Sequence, residues 1–278
     1  MSTNFKMNEL KVKTNFTNIY TQDSPYEYLK EMDRLEYSIS DFTKPLYNAI
    51  IKQLEKTLSR SINILDLGSS YGINSALMKY NLTMLELNNF FLTGTKPTKK
   101  ETVQFYEECK NNINMNFYQI DISKEALKFS QDMNLCERGM NVDLETKKLN
   151  LLESLPKMDI VIATGCVGYI GYKAFLNLLK IIKNRELNSK KSKKKHINPI
   201  FAFSVLRMFD MSDIKEVFEM YNYSIVKSDI KPIHQRNFSD VKEKKQTISI
   251  LHEMEVDTKK YEDEGNFYAD FYIAKSKK

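Results

Sequence analysis

The segment Ile62-Asn63-Ile64-Leu65-Asp66-Leu67-Gly68-Ser69-Ser70-Tyr71-Gly72-Ile73-Asn74 constrains this chain more than any other. Ile62, Ile64, Leu65 and Leu67 form an apolar run rich in β-branched residues, as a strand buried on both faces requires. Gly68 and Gly72 then bracket a turn, and helical spacing begins at Ile73. A strand that ends on glycine and turns at once into a helix is a device for cradling a nucleotide.

The turn also limits which nucleotide. A phosphate loop needs GxxxxGK[ST], and positions 62–74 hold no lysine; Gly94-Thr95-Lys96 has the wrong order. A dinucleotide turn wants G-x-G-x-x-G, and Ser70 stands where the middle glycine would be. Asp66, two residues before Gly68, would be poor company for a pyrophosphate but a suitable acceptor for an ammonium group. The turn therefore suits a ligand that carries an amino acid.

The rest of the chain alternates. Residues 1–24 are polar and read as a flexible arm, and residues 25–60 as a cover of two helices, the second opening on a Ser40/Asp41 capping signal. A helix is expected at 73–80. Residues 81–114, rich in Asn and Thr with a helical piece at 101–109, read as an insertion. Further strands are expected at 115–123, 140–144, 158–165, 199–207, 223–230 and 266–276, with helices at 124–134, 172–182 and 211–222. The pattern predicts one α/β domain over 61–278: a doubly wound, mostly parallel seven-stranded sheet with helices on both faces.

Composition removes several function classes. With 278 residues, 42% of them hydrophobic, a large core is available. No stretch approaches the ~18 apolar residues of a membrane span; 160–172 comes nearest and is broken by Gly165, Gly168 and Gly171. The N-terminus lacks an apolar signal core. Cys109, Cys136 and Cys166 are odd in number and form no CxxC, which disfavours a disulfide framework or a zinc site; no metal is expected, and a reducing cytoplasm fits best. The net charge of +6 falls to −2 without Lys190, Lys191, Lys193, Lys194, Lys195, Lys275, Lys277 and Lys278. The positive charge is local, as in a solvated loop and tail.

On these residues the chain resembles the class I S-adenosylmethionine-dependent methyltransferases. "ILDLGSSYG" is similar to their first motif, and "YQIDISKEALKFS" to the second, whose strand-ending acid accepts hydrogen bonds from the ribose hydroxyls. "MNVDL" is similar to the third, whose acid meets the adenine amino group, and "MDIVIATGCVGYIG" to the fourth, which faces the methyl-donor sulfur. The resemblance covers about residues 60–275. It implies S-adenosylmethionine as cofactor, held by Asp66, Gly68, Ser69, Ser70, Gly72, Asp121, Ile122, Asp143, Leu144, Thr164 and Gly165. The turn backbone and the following helix N-terminus would receive the methionine carboxylate. Asp66 and Asp121 stand 55 residues apart, against roughly 20 in the usual spacing. Glu86 is thus a rival for the ribose, and Asp143 has a plain alternative as a helix cap or surface charge.

Acceptor groups are sought after the fourth and fifth strands. Enzymes that methylate exocyclic base nitrogens carry [DN]PP[YF] there; this chain has Thr164-Gly165-Cys166-Val167-Gly168-Tyr169, so nucleic acid is disfavoured. Cys166, without a base or a Pro-Cys context, reads as a packed cysteine. Tyr169 opens the next helix as a catalytic candidate. "KPIHQRNF" offers His234 as a general base and Arg236 as a carboxylate clamp, or both as structural residues. Tyr37, Lys44 and Tyr47 either cover the cofactor or pack the helices down. Tyr26, Tyr28, Tyr37 and Tyr47 supply aromatic surface for a small acceptor or simply rim packing, and Arg207 reads as an ion-pair residue. The expectation is methyl transfer to an oxygen or nitrogen of a small molecule. The alternatives are a protein or peptide acceptor, and an inactive module that only holds the nucleoside.

Overall fold

The computed structural model describes residues 17–109, 114–146, 152, 154–191 and 198–277. The strands are β1 (Ile62–Leu67), β2 (Met115–Asp121), β3 (Arg138–Asn141), β4 (Ile160–Ala163), β5 (Ile200–Leu206), β6 (Tyr223–Lys227), β7 (Ile233–Asn237) and β8 (Asn266–Ser276). They form one sheet in the order β3-β2-β1-β4-β5-β8-β6, with β7 also on β8. β1 to β5 run parallel, and β8 is antiparallel to β5, β6 and β7. This is the doubly wound, mostly parallel sheet expected; β7, inside the polar stretch after strand five, is an addition to the seven strands.

β1 sits centrally because both its faces are apolar. Leu65 and Leu67 enter one core with Val161, Phe175, Phe203 and Phe218. Ile62 and Ile64, pointing the other way, enter a second with Tyr47, Ile51, Phe117 and Phe271. Helices α8 (Val167–Lys191) and α9 (Ser212–Met220) cover the first face. On the second face lie α3 (Ile39–Glu55) and α10 (Val241–Glu253). Each fully buried Phe contributes on the order of 2 kcal/mol. α8 is interrupted at Gly171, whose φ of 56° and ψ of −178° set the short turn 167–170 apart from the long helix behind it.

A third core joins α2 (Tyr26–Arg34), α4 (Ile73–Lys79), α5 (Met84–Leu92), α6 (Lys99–Glu108) and α7 (Lys124–Asp132) through Leu29, Leu77, Leu87, Phe91, Tyr106 and Phe129. The 81–114 segment thus carries two helices that pack onto the N-terminal cover. Residues 17–24, expected as part of a flexible arm, are tied down. After the short helix α1 (Thr17–Tyr20), the Tyr71 hydroxyl lies 2.9 Å from Ile19 O, accepts from Gln22 N at 3.1 Å, and Ser123 Oγ donates to Tyr20 O. The lysines at 193–195 lie outside the described residues.

Candidate functional site

The parallel strands end along one edge, where β1, β2 and β4 deliver the turn 68–72, Asp121 and the segment 164–169. Gly68, Ser70 and Gly72 have φ of 63°, 50° and 77°, so the turn is wound through the left-handed region. Its amides are used internally. Gly68 N and Ser69 N donate to Ile120 O at 2.8 and 3.2 Å, Ser70 N to Asp121 Oδ2 at 2.7 Å, and Gly72 N to Ser69 O at 3.0 Å. These four donors are spent on β2 and on the turn itself, so a carboxylate expected at this turn would fall to the N-terminus of the helix that follows. What remains is a pair of buried hydroxyls, Ser69 Oγ and Ser70 Oγ, without partners. Left so, each would cost about 1–3 kcal/mol, and a bound polar ligand would recover it.

Gly68 is glycine for a packing reason. A Cβ there would lie 2.8 Å from Cys166 Cβ and 2.9 Å from its Sγ. Cys166 in turn donates its thiol to Leu67 O at 3.1 Å, a packed cysteine closing the turn from the β4 side. Thr164 is also committed: its Oγ1 lies 2.8 Å from the hydroxyl of buried Tyr47. Gly165 N donates to Ser204 Oγ at 3.1 Å. Tyr47 and Lys44, which bonds Leu82 O at 2.9 Å, therefore fasten α3 to the body.

The acidic residues separate clearly. Asp121 ends β2, and its carboxylate takes Ser70 N on one oxygen and Ser123 N, at 2.8 Å, on the other. Burial pushes its pKa up, opposed by those backbone hydrogen bonds. The Ile122 backbone is a third donor to it, so about one of its roughly four lone-pair directions stays open. Ile122 beside it is 77% exposed, an apolar face presented at the strand end. Asp66 does not match expectation. Its carboxyl is fully buried, Asn74 Nδ2 donates to it at 3.2 Å, and burial pushes its pKa up to about 8. Enclosed in this way, the carboxyl presents no open face to an ammonium group in this structure. Glu86 is removed as a rival: it forms a capping box with Thr83 at the start of α5. The third strand is shifted, ending at Asn141, so Asp143 lies in an exposed loop where its carboxylate accepts from Glu145 N at 2.9 Å. Leu144 turns into the core rather than toward the edge.

The acceptor side is also redrawn. Arg236, expected as a clamp, is 4% exposed; its guanidinium is bound by Glu243 at 2.8 and 3.0 Å and lies over the Phe267 ring. Burial raises the Glu243 pKa, but Arg236 and Ser239 outweigh it and hold this carboxyl below its ordinary value. Arg207 is paired with Glu262 at 2.8 Å, as its ion-pair reading expected. His234 Nδ1 is 2.7 Å from Ser38 Oγ and its ring meets Tyr268 edge-on. Between His234 and Arg236, Gln235 reaches the crevice: its Nε2 lies 3.6 Å, and the Tyr37 hydroxyl 3.1 Å, from the position a Cβ would take at Gly165. Tyr169 is 55% exposed on the turn after β4.

Two contributors were missed from sequence. Tyr20 was placed in the arm, yet burial and the proximity of Tyr37, Tyr169, Asp121 and Cys166 drive its phenol pKa well above normal. Gln235 lay unremarked between two more reactive neighbours. It sits where the β7–β8 register shifts between His234 and Arg236, an irregularity that sequence does not show.

No family model matches the chain, and no curated protein does. Among solved structures it is similar to the plantazolicin methyltransferase BamL in complex with a triazolic desmethylPZN analog and SAH, with 10% identity, 94% of this chain and 96% of that one covered, and a TM-score of 0.44. It is also similar to magnesium protoporphyrin IX methyltransferase from Synechocystis PCC 6803 with bound SAM, at 11% identity, 84% and 79% coverage and a TM-score of 0.41. A TehB-like SAM-dependent methyltransferase from Corynebacterium glutamicum gives 13%, 82%, 86% and 0.40. At these scores the likeness bears no functional weight of its own.

Proposed function

We propose that this chain is a class I S-adenosylmethionine-dependent methyltransferase acting on an oxygen or nitrogen of a small molecule. The observation that carries the reading is the conjunction at the edge of β1 and β2: two unpartnered buried serine hydroxyls, a strand-ending carboxylate, and an exposed isoleucine beside it. Asp121 would accept from ribose hydroxyls, Ile122 would lie against the adenine, and Ser69 and Ser70 would bond the methionine end. Asp143, by contrast, is exposed and held in its own turn, so adenine recognition would rest on apolar contact.

Bound there, S-adenosylmethionine supplies an electrophilic methyl group on a sulfonium. The contribution of the chain is alignment and exclusion of water. The β4 end fixes one wall through Cys166 and Gly165, and Tyr20, Tyr37 and Tyr169 bring aromatic surface over it. Positioning alone supplies on the order of 7–11 kcal/mol in favourable cases, so no strong base is obligatory. With Arg236 bound to Glu243, no guanidinium is assigned to the reaction.

Titration calorimetry with S-adenosylmethionine, S-adenosylhomocysteine and NAD tests the reading. Binding of the first two but not NAD supports it; binding of NAD alone, or of none by folded protein, rejects it.

A further inference from the structure

We infer that Gln235 is the residue that reads the methyl acceptor, and that this acceptor is an uncharged ring compound carrying a hydroxyl or amide. The inference rests on the methyltransferase reading, which it deepens.

In the sheet order, β2 and β4 flank β1 on opposite sides. Asp121 and Ile122 occupy the β2 side, leaving the β4 side for the second reactant. There the Tyr37 hydroxyl and the Gln235 amide converge on Gly165, whose φ of 69° and lack of a side chain let both approach the β4 end closely. Gln235 is only 5% exposed, yet no hydrogen bond engages its side-chain amide among the described residues. Its position is nevertheless fixed, because its carbonyl accepts from Ser38 N at 3.0 Å, joining β7 to the segment before α3. Unlike Ser69 Oγ and Ser70 Oγ, the amide is not sealed from solvent, so it offers both a donor and an acceptor to whatever enters.

The charge on this wall points to a neutral guest. Arg236, next to Gln235 in the chain, is bound by Glu243, so the guanidinium beside it is compensated within the fold. A carboxylate or ammonium acceptor would shed its water without gaining an opposite charge. The surrounding aromatic groups, Tyr20, Tyr37 and Tyr169, suit a flat ring instead.

The experiment first measures S-adenosylhomocysteine affinity of wild type and Gln235→Leu by calorimetry. Saturation-transfer NMR on the loaded proteins then compares phenol, benzamide, benzoate and benzylamine. Phenol or benzamide should contact wild type, with affinity falling about tenfold in Gln235→Leu, the size of one lost hydrogen bond. Benzoate and benzylamine should not bind, and nucleoside affinity should be unchanged. If Gln235→Leu does not fold, Gln235→Met serves in the same comparison. Charged probes binding as well as phenol, or no probe binding at all, overturns the acceptor class. Loss of nucleoside affinity in the variant overturns the role by making Gln235 a cofactor contact. Failure of wild type to bind S-adenosylhomocysteine instead defeats the underlying reading, whatever the probes do.

Discussion

The backbone N–H of Ser70 donates to Asp121 Oδ2 across 2.7 Å, so the turn after β1 and the end of β2 share one carboxylate. The same group takes Ser123 N at the start of α7. Asp121 is thus a splice between two strand ends before any ligand arrives. Asp121→Ala strands two backbone donors and should lower stability by about 1–3 kcal/mol, read as a lower denaturant midpoint. Asp121→Asn keeps an acceptor but removes the charge. It should bind S-adenosylmethionine at least about tenfold more weakly while losing less stability. Equal affinity in Asp121→Asn and wild type would take the ribose away from this residue.

Gly68→Ala should destabilise the fold by about 1–3 kcal/mol, since it adds an atom 2.8 Å from Cys166 Cβ and holds a side chain at φ 63°. Cys166→Gly should return part of that loss in the double variant. A double-mutant cycle by chemical denaturation measures the coupling. Simple additivity would show that backbone conformation alone excludes the side chain.

For buried Asp66, the folded pKa is raised from 3.8 to about 8, first by burial, against the hydrogen bond from Asn74 and with a small push from Asp121. The folded state therefore keeps a proton that the unfolded chain has released. This contribution is fully present below about pH 4 and is lost as pH climbs toward 8. Asp66→Asn, neutral at every pH, should flatten that decline and melt above wild type at pH 8. A melting series across pH decides it; a wild-type curve that rises between these limits while the variant stays flat would contradict a protonated carboxyl.

Removing one member of the Arg236–Glu243 pair should unfold more than it inactivates. Arg236→Met takes the guanidinium away from the Glu243 carboxylate, itself 2% exposed, at a cost of about 3–5 kcal/mol. Glu243→Gln with Arg236→Met should regain much of it. An Arg236→Met protein with wild-type melting and no turnover would restore the catalytic role that the geometry removes.

Much of this crevice was legible in the chain because its parts are local. β1 announces itself by an apolar run that faces two cores, and Asp121 by its place at the end of a strand before a Ser-capped helix. Glu86 was equally legible as the last member of a Thr-x-x-Glu box. Arg236 was not, since its partner sits on the next helix and only the β7-to-α10 corner brings them together. Asp66 was misread for a related reason: sequence shows a carboxylate near a glycine turn but not the absence of solvent around it. Gln235 needs the pairing of β7 with β8, a long-range event with almost no local signature.

That pairing fixes when the β7 side of this edge can form. β7 has β8 as its strand partner, and β8 also separates β5 from β6. On a ribosome, β1 to β5 can pair as they emerge, whereas Gln235 has no sheet to stand on until synthesis has passed residue 276. Co-translational folding would therefore assemble the edge that holds Asp121 first and the strand that holds Gln235 last. A nascent chain stalled before β8 would hold the first without the second, and expose β5 as an unfinished edge open to pairing with another chain.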